Sequence, residues 1–165
     1  MPALAVGTHA PDFRLNSLEG EPFSLKEALA DGPVVLVFLK VSCPTCHYAL
    51  PFYERLFKNY KDKHVRLVGV SQNNAQETAA FAREFGVSFP LLLDDTRSYP
   101  VSNAYGLTNV PTIFWIGTGG EIELYSVGWS KSDFELINRR MAEASAIGAA
   151  PMFRPSEDVR DYRAG

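Results

Sequence analysis

The distribution of apolar residues predicts alternating strands and helices through the first half of the chain. Val34–Leu39 is an unbroken apolar run, VVLVFL, which is typical of a strand covered on both faces of a sheet. From Pro44 to Tyr60 the apolar residues recur at the spacing of one helical face. A second strand over 65–70 and a second helix over 75–85 repeat the two patterns. This order predicts a sheet that is parallel in its first half.

Two other segments have the pattern of a β-hairpin. Residues 12–25 alternate apolar and polar positions on both sides of Glu19-Gly20-Glu21, which predicts an N-terminal hairpin at the edge of the sheet. Residues 112–116 and 121–127 flank the glycine-rich segment 117–120. This second pair of strands is predicted to be antiparallel and to complete the sheet.

The remaining elements are predicted from shorter signals. Residues 89–93 suit a short strand, and the link over 94–106 is predicted to be irregular or briefly helical. A last helix is predicted to open at Ser132, because Glu135 follows at the spacing of a capping box, and to end at Gly148.

Length and composition predict one folded domain with a tail. A chain of 165 residues with 46% apolar residues is of the size that builds a single core. We assign this domain to residues 1–148. Residues 149–165 mix two prolines with charges and have no periodicity, so they are predicted to be mobile or to lie along the surface.

Charge and hydropathy argue against several partners and locations. The 16 basic and 19 acidic residues give a net charge of -3, and no cationic run is present, so nucleic acid is not an expected partner. Met1 to Ala10 has no basic cluster and an early proline, which does not match a secretory signal and predicts a cytoplasmic protein. The longest apolar run, Val34–Leu39, is far shorter than the ~20 residues that cross a bilayer, so no membrane partner is expected.

The two cysteines of the chain, Cys43 and Cys46, point to redox chemistry. A disulfide between residues so close in sequence would constrain almost nothing in the unfolded chain, so a purely structural bond is not expected. Cys43 falls at the predicted start of a helix, where unpaired N–H groups and the helix dipole favour a thiolate. Such settings lower a cysteine pKa from ~8.5 to ~3.5–7.5. We therefore predict that Cys43 attacks a disulfide and that Cys46, one helical turn later, resolves the product.

These residues resemble the thioredoxin superfamily, and within it the redoxin branch of TlpA/ResA-like reductases and AhpC/TSA peroxiredoxins. The resemblance extends over about residues 6–146. It rests on GTHAPDFRL at 7–15, the strand Val34–Leu39 that runs into CPTC at 43–46, Pro51 in the next helix, and NVPT at 109–112. It implies an α/β, thioredoxin-like fold with a mixed central sheet flanked by helices and an N-terminal β-hairpin extension.

The resemblance also implies how a substrate binds. In that superfamily the proline before the penultimate strand is cis and faces the CxxC pair, which here is Pro111, and Val110 would offer its backbone to an extended substrate. Without the resemblance, Pro111 would be read as an ordinary trans proline at the start of a strand. The implied partners are a disulfide-containing protein or small molecule and an external thiol reductant, and no cofactor is implied.

Three residues next to the cysteines are further candidates for substrate binding. Pro44 and Thr45 lie between the two thiols, and Lys40 stands where a similar lysine of glutaredoxins helps to bind glutathione. The alternative for Lys40 is a strand-end lysine with its ammonium group in water.

The sequence departs from the superfamily pattern at three positions. Ser42 replaces a tryptophan that is common in thioredoxins, Val37 replaces a buried acid, and Ala49 replaces the acid that TlpA-like proteins often carry after the motif. The group that assists proton transfer at Cys46 is therefore open, with Lys40 or a carboxylate elsewhere as candidates.

Two other functions compete with disulfide reduction. A thiol peroxidase is suggested by the N-terminal pattern and by Cys43-Pro44-Thr45, but Lys40 and Leu36 stand where peroxiredoxins carry a threonine and a proline. Without the threonine hydroxyl, efficient peroxide reduction is not expected. A thioredoxin-fold binding module without catalysis is the second alternative.

Haem and zinc fit the sequence less well. The segment from Cys43 to His47 has the CxxCH pattern of haem attachment, but alternating strands and helices are unlike the small helical cytochromes. A structural zinc site would need two more ligands. The histidines are His9, His47 and His64, and none is paired at ligand spacing.

Overall fold

The computed structural model describes residues 4–165. Met1, Pro2 and Ala3, which belong to the segment searched for a signal, lie outside the described residues. Nine strands are described: β1 (Arg14–Asn16), β2 (Pro22–Ser24), β3 (Val34–Leu39), β4 (Arg66–Ser71), β5 (Leu91–Leu93), β6 (Thr112–Ile116), β7 (Ile122–Val127), β8 (Trp129–Ser130) and β9 (Tyr162–Arg163). The five described helices are α1 (Leu25–Leu29), α2 (Pro44–Tyr60), α3 (Ala75–Phe85), α4 (Pro100–Ala104) and α5 (Lys131–Ala144).

A five-stranded sheet in the order β5-β4-β3-β6-β7 forms the centre of the molecule. Strand β3 is parallel to β4, which is parallel to β5, whereas β6 and β7 are antiparallel to their neighbours. All six residues of β3 are buried. The prediction of a mixed α/β sheet with this strand at its centre is confirmed.

The alternating residues of β3 face two separate cores. Val35, Val37 and Leu39 belong to the core that contains side chains of α2 and α5. The other residues of the strand pack in a core with side chains of α1 and with Tyr105. Helices therefore cover both faces, which explains why β3 is a continuous apolar run.

The N-terminal hairpin is present but is not a part of the central sheet. Strands β1 and β2 form their own antiparallel two-stranded sheet. An isolated bridge between Ser17 and Leu92 connects this sheet to the outer edge of β5. Helix α1 follows directly, and the side chain of Ser24 accepts a hydrogen bond from the Glu27 amide at its start. Its five residues are too few to give a periodic signal.

The last helix begins two residues earlier than the capping pattern predicted. The N-cap of α5 is Ser130, whose side chain accepts a hydrogen bond from the Asp133 amide at 3.3 Å. Ser132 is inside the helix, so the predicted capping box with Glu135 is wrong. Strand pairing holds Ser130 in an extended conformation, and the helix starts directly after it. The helix ends at Ala144 and not at Gly148, because Ala146 has a positive φ of 55° that interrupts it.

Residues 149–165 lie along the surface of the sheet and helices. Met152 is buried, and Glu157 accepts two hydrogen bonds from Arg55 at 2.7 and 2.8 Å. Farther on, β9 pairs with β8 in an antiparallel ladder. The division of the chain at residue 148 stays a prediction. In the part of the chain that is described, no helix has the length and apolarity needed to cross a bilayer.

Candidate active site

The turn between β3 and α2 places the reactive thiol at the start of a helix. Cys43 is the N-cap residue of α2, with an extended backbone at φ -87° and ψ 112°. Its Sγ accepts a hydrogen bond from the Cys46 amide at 3.1 Å. Pro44 occupies the first turn, where its missing N–H removes no intrahelical bond. The sulfur therefore takes the place that a serine or aspartate oxygen has in an ordinary N-cap.

The loop before β6 meets Cys43 from the other side. The Val110–Pro111 peptide bond is cis, as the resemblance implied. The Cys43 thiol donates a hydrogen bond to the Val110 carbonyl oxygen at 3.3 Å. These two residues and the dithiol, which are separated by more than 60 positions in sequence, thus form one site.

The surroundings of Cys43 favour its thiolate. A hydrogen bond from the Cys46 side chain is the largest cause, and the backbone amides of Cys46 and Thr45 and the charge of His47 act in the same direction. Burial opposes them, but the pKa of Cys43 is still lowered to about 6. At neutral pH most Cys43 is therefore ionised, and the thiolate accepts hydrogen bonds in place of the one it donated to Val110.

The second thiol, Cys46, tends to stay protonated, in contrast to Cys43. Cys46 is fully buried, and both cysteines are reduced in this structure. Burial is the main cause that raises the pKa of Cys46, followed by its hydrogen bond to Cys43 and the charge there. Cys46 is therefore held as a neutral thiol while Cys43 is a thiolate. When Cys43 forms a mixed disulfide it loses its negative charge. The pKa of Cys46 should then fall, because one of the causes that raise it has been removed.

We expect the alkylation rate of Cys43 to follow a titration near pH 6. Because the thiolate is the reacting species, the rate with iodoacetamide should rise as the pH passes through about 6 and then level off. Mass spectrometry of the labelled peptide measures it. In the matched control, Cys43→Ser, the remaining buried Cys46 should react slowly and without a step at this pH. A midpoint above 8 for Cys43 would contradict this electrostatic description.

The other predicted site residues, Thr45, Pro44 and Lys40, differ in their burial and in their contacts. Thr45 is buried, and its hydroxyl donates a hydrogen bond of 2.6 Å to the carbonyl oxygen of Ala164. Pro44 is exposed beside the sulfur. Lys40 has an exposed side chain, and its contribution to the site is its carbonyl oxygen, which accepts a hydrogen bond from the Cys43 amide at 3.1 Å.

Two residues that the sequence did not single out as positioning groups hold this turn in place. The ring of His47 forms a hydrogen bond of 2.6 Å with the Val41 carbonyl and stacks on Phe85 with a centroid distance of 4.6 Å. Asn73 accepts a hydrogen bond from the Val41 amide at 3.0 Å. No local pattern connects Val41 to a residue 32 positions away. Among residues 4–165, no group of three His, Cys, Asp or Glu side chains is arranged to hold a metal ion.

A buried tyrosine lies in the same core as Cys46. Tyr53, two helical turns along α2, has a hydroxyl with no hydrogen-bond partner among the described residues. Burial raises its pKa, and the charges of Cys46 and Cys43 act in the same direction. The carboxylate of Glu54, the next residue in sequence, is buried and accepts hydrogen bonds from the Ser88 amide and hydroxyl. The proton-transfer group of Cys46 therefore stays open.

The variant Tyr53→Phe should be more stable than the natural chain. A buried hydroxyl without a partner costs about 1–3 kcal/mol, and the phenylalanine ring keeps the packing. We expect a gain of about 1 kcal/mol, which for a domain of this size is about 2–4 °C in Tm. Thermal unfolding of both reduced proteins measures the change. A lower Tm in the variant would reveal a hydrogen bond that the hydroxyl makes in solution.

Comparison with known proteins agrees with this geometry. The AhpC/TSA family matches residues 6–125. Thiol-disulfide oxidoreductase ResA of Halalkalibacterium halodurans is 36% identical over 117 residues, which are 70% of this chain and 65% of that protein. The ResA protein of Geobacillus kaustophilus is 34% identical over 135 residues, which are 81% of this chain and 76% of that protein.

A solved structure extends the agreement to the fold. The crystal structure of a thiol:disulfide interchange protein of the thioredoxin family from Chlorobium tepidum superimposes with a TM-score of 0.67 at 25% identity, covering 87% of this chain and 99% of that one. The predicted fold and the predicted class of enzyme are thereby confirmed. The chain belongs to the AhpC/TSA family, as a ResA-like thiol-disulfide oxidoreductase of the thioredoxin superfamily.

Proposed function

We propose that the protein reduces disulfides by a two-step exchange in which Cys43 attacks and Cys46 resolves. The observation that carries this proposal is the position of the Cys43 sulfur. It caps helix α2, accepts a hydrogen bond from the Cys46 amide at 3.1 Å, and has a pKa of about 6. A thiolate that is present at neutral pH and has a second thiol one turn behind it is the arrangement that such exchange requires.

The steps balance without a cofactor. The Cys43 thiolate attacks one sulfur of the substrate disulfide, a new S–S bond forms, and the other substrate sulfur leaves as a thiolate that takes up a proton. Cys46 then loses its proton and attacks the Cys43 sulfur, which expels the second substrate thiolate. Two electrons have moved to the substrate, and the Cys43–Cys46 pair is oxidised. An external thiol reductant returns it to the dithiol.

The proposed substrates are disulfides in proteins. The support is the loop at Val110. Its carbonyl oxygen accepts a hydrogen bond from the Cys43 thiol, and its cis peptide bond with Pro111 resembles the substrate-binding loop of the superfamily. Backbone pairing at Val110 would align an extended segment so that its sulfur meets Cys43. Small-molecule disulfides are the alternative, and Lys40 would then help to bind an acidic one such as oxidised glutathione.

Parallel assays with insulin and with hydrogen peroxide test the proposal. With the same external thiol as reductant, we expect reduction of the insulin disulfides well above the rate without protein, and only slow consumption of peroxide. The reason is that Lys40 stands where peroxiredoxins have the threonine that orients peroxide. Rapid peroxide consumption without insulin reduction would establish the peroxidase alternative. No turnover in either assay would favour a binding module.

The cytoplasmic location expected from the sequence belongs to the same proposal. It is supported by the use of both cysteines as a redox pair, with no further cysteine left for a structural disulfide. Fractionation of the source cells with an antibody against the protein measures it. Recovery outside the cytoplasm would assign the enzyme to disulfide exchange in an oxidising compartment.

A further inference from the structure

The end of the described chain lies directly on the active site. The carbonyl oxygen of Ala164 accepts the hydrogen bond of the Thr45 hydroxyl at 2.6 Å, and that of Gly165 accepts one from the Asn109 side chain at 3.3 Å. Gly165 packs so closely on Val110 that a Cβ atom at this position would lie 2.2 Å from the Val110 carbonyl oxygen. This is the same oxygen that is bonded to the Cys43 thiol.

These contacts occupy the place where a protein substrate would have to bind. The proposed substrate segment pairs with the backbone at Val110, and Gly165 now covers the carbonyl there. Cys43 itself is only 8% exposed. A small reagent can reach a sulfur with this exposure, but an in-line approach by a disulfide held in a folded protein needs a wider opening.

The residues just before the contact are held by the body of the protein. Arg163 and Tyr162 pair with Trp129 and Ser130 in the β8–β9 ladder. The Trp129 ring nitrogen donates to the Arg160 carbonyl at 2.7 Å. The path of the chain toward Thr45 is therefore set by strand pairing, and it directs residues 164 and 165 onto the site.

The last two residues are held much more weakly than the earlier part of the tail. Ala164 and Gly165 are exposed, and the side-chain hydrogen bonds that they receive come from Thr45 and Asn109. Upstream, in contrast, the buried side chain of Met152 and the paired hydrogen bonds between Arg55 and Glu157 fix the chain. Residues 164 and 165 can therefore leave the site while the upstream anchors remain in place.

We propose that residues 160–165 are a size filter for the disulfides that reach Cys43. Small disulfides pass beside the segment, whereas a protein disulfide reacts only after Ala164 and Gly165 have moved away from Thr45 and Val110. The part of this inference that concerns substrates rests on the proposed disulfide reduction. The steric part does not, because it concerns only access to the sulfur.

Labelling of Cys43 with two reagents of different size tests the steric part. In the full chain, Thr45→Val with Asn109→Ala removes both side-chain donors that hold residues 164 and 165 and preserves most of the side-chain volume at the buried position. We expect the rate with a maleimide that carries a polyethylene glycol chain to rise about tenfold or more, because two hydrogen bonds are lost. The rate with iodoacetamide should change little. Cys46→Ser in the background restricts labelling to Cys43.

Two further variants test whether displacement of the tail causes the change in the labelling rate. Gly128→Ala leaves both donors in place but puts a Cβ atom 2.6 Å from the Arg163 carbonyl oxygen, so it should displace β9 and raise the rate with the bulky reagent in the same way. Thr118→Val, in the exposed turn between β6 and β7, is the matched control and should leave both rates unchanged. Equal rates with the bulky reagent in the natural and both altered chains would overturn the filter.

The substrate part has a separate readout. If the filter acts during turnover, Gly128→Ala, which keeps the Thr45 hydroxyl for the substrate, should raise kcat/KM for insulin more than kcat/KM for a small disulfide such as hydroxyethyl disulfide. An unchanged ratio in an active enzyme would overturn the filter as a determinant of specificity. If the labelling rates of Cys43 change as expected but neither the natural chain nor the variant reduces insulin, the steric filter stands and the proposed disulfide reduction is wrong.

Discussion

The variant Cys43→Ser should lose disulfide reduction by more than about a thousandfold, to the rate without enzyme. A serine hydroxyl does not ionise near neutral pH, so the nucleophile that the structure holds at a pKa of about 6 disappears. Reduction of insulin by the full chain, with a fixed concentration of external thiol, measures the loss. Retention of more than a tenth of the activity would contradict the assignment of Cys43 as the attacking thiol.

The same variant is well suited to separate chemistry from folding. Cys43 is the N-cap of α2, and its sulfur accepts the hydrogen bond of the Cys46 amide. Serine is among the preferred residues at an N-cap, so its oxygen can accept this bond in place of the sulfur. Thermal unfolding of the variant should therefore give a Tm close to that of the reduced natural protein, and a loss of activity could not be attributed to unfolding.

The dithiol and the central strand could be predicted because their signals are local. The apolar run of β3 needs no knowledge of its neighbours, since burial on both faces is the usual reason for such a run. The position of Cys43 follows from the same segment, because Pro44 and the periodic residues after it mark the start of a helix. Each of these inferences uses a window of fewer than 20 residues.

The start of α5 shows where local signals are ambiguous. Ser130 with Asp133 and Ser132 with Glu135 both place an acid three residues after a serine. The choice between them is made by the pairing of Ser130 with Tyr162, a residue 32 positions later. A helix boundary that depends on a strand pair so distant in sequence is not visible in the pattern around it.

The tail illustrates a larger limit of the same kind. Residues 149–165 have no hydrophobic period, although separated side chains such as Met152 and Phe153 pack against the core. Glu157 binds Arg55, which is 102 positions away, and Ala164 receives a hydrogen bond from Thr45 across 119 positions. The composition of such a segment carries no information on where the segment lies.

This placement changes the meaning of one predicted site residue. The sequence makes Thr45 a candidate for substrate binding, because it lies between the thiols. In this structure its hydroxyl is already bonded to Ala164, so a substrate that uses Thr45 must first replace that bond. The tail and the substrate thus compete for the same donor beside Cys43. Substrate affinity measured on the full chain therefore includes the free energy of displacing residues 164 and 165.

The variant Cys46→Ser should accumulate a mixed disulfide between Cys43 and the substrate. The first exchange step needs only the Cys43 thiolate, and the second needs a thiol at position 46, where the buried serine hydroxyl cannot attack. We expect close to one substrate chain bound per protein after reaction with insulin. Mass spectrometry under non-reducing conditions detects the complex, and excess dithiothreitol should release it.

The double variant Cys43→Ser with Cys46→Ser is the matched control and should form no complex.

The variant Cys46→Ser also distinguishes a disulfide reductase from a thiol peroxidase, because Cys46 has a different role in each. A disulfide reductase needs it in every turnover, whereas a peroxidase that relies on Cys43 alone would continue to consume peroxide when an external thiol is supplied. Sustained turnover of insulin by Cys46→Ser, without a trapped complex, would mean that an external thiol and not Cys46 resolves the intermediate. The buried second sulfur would then have to be explained by packing in the core around α2.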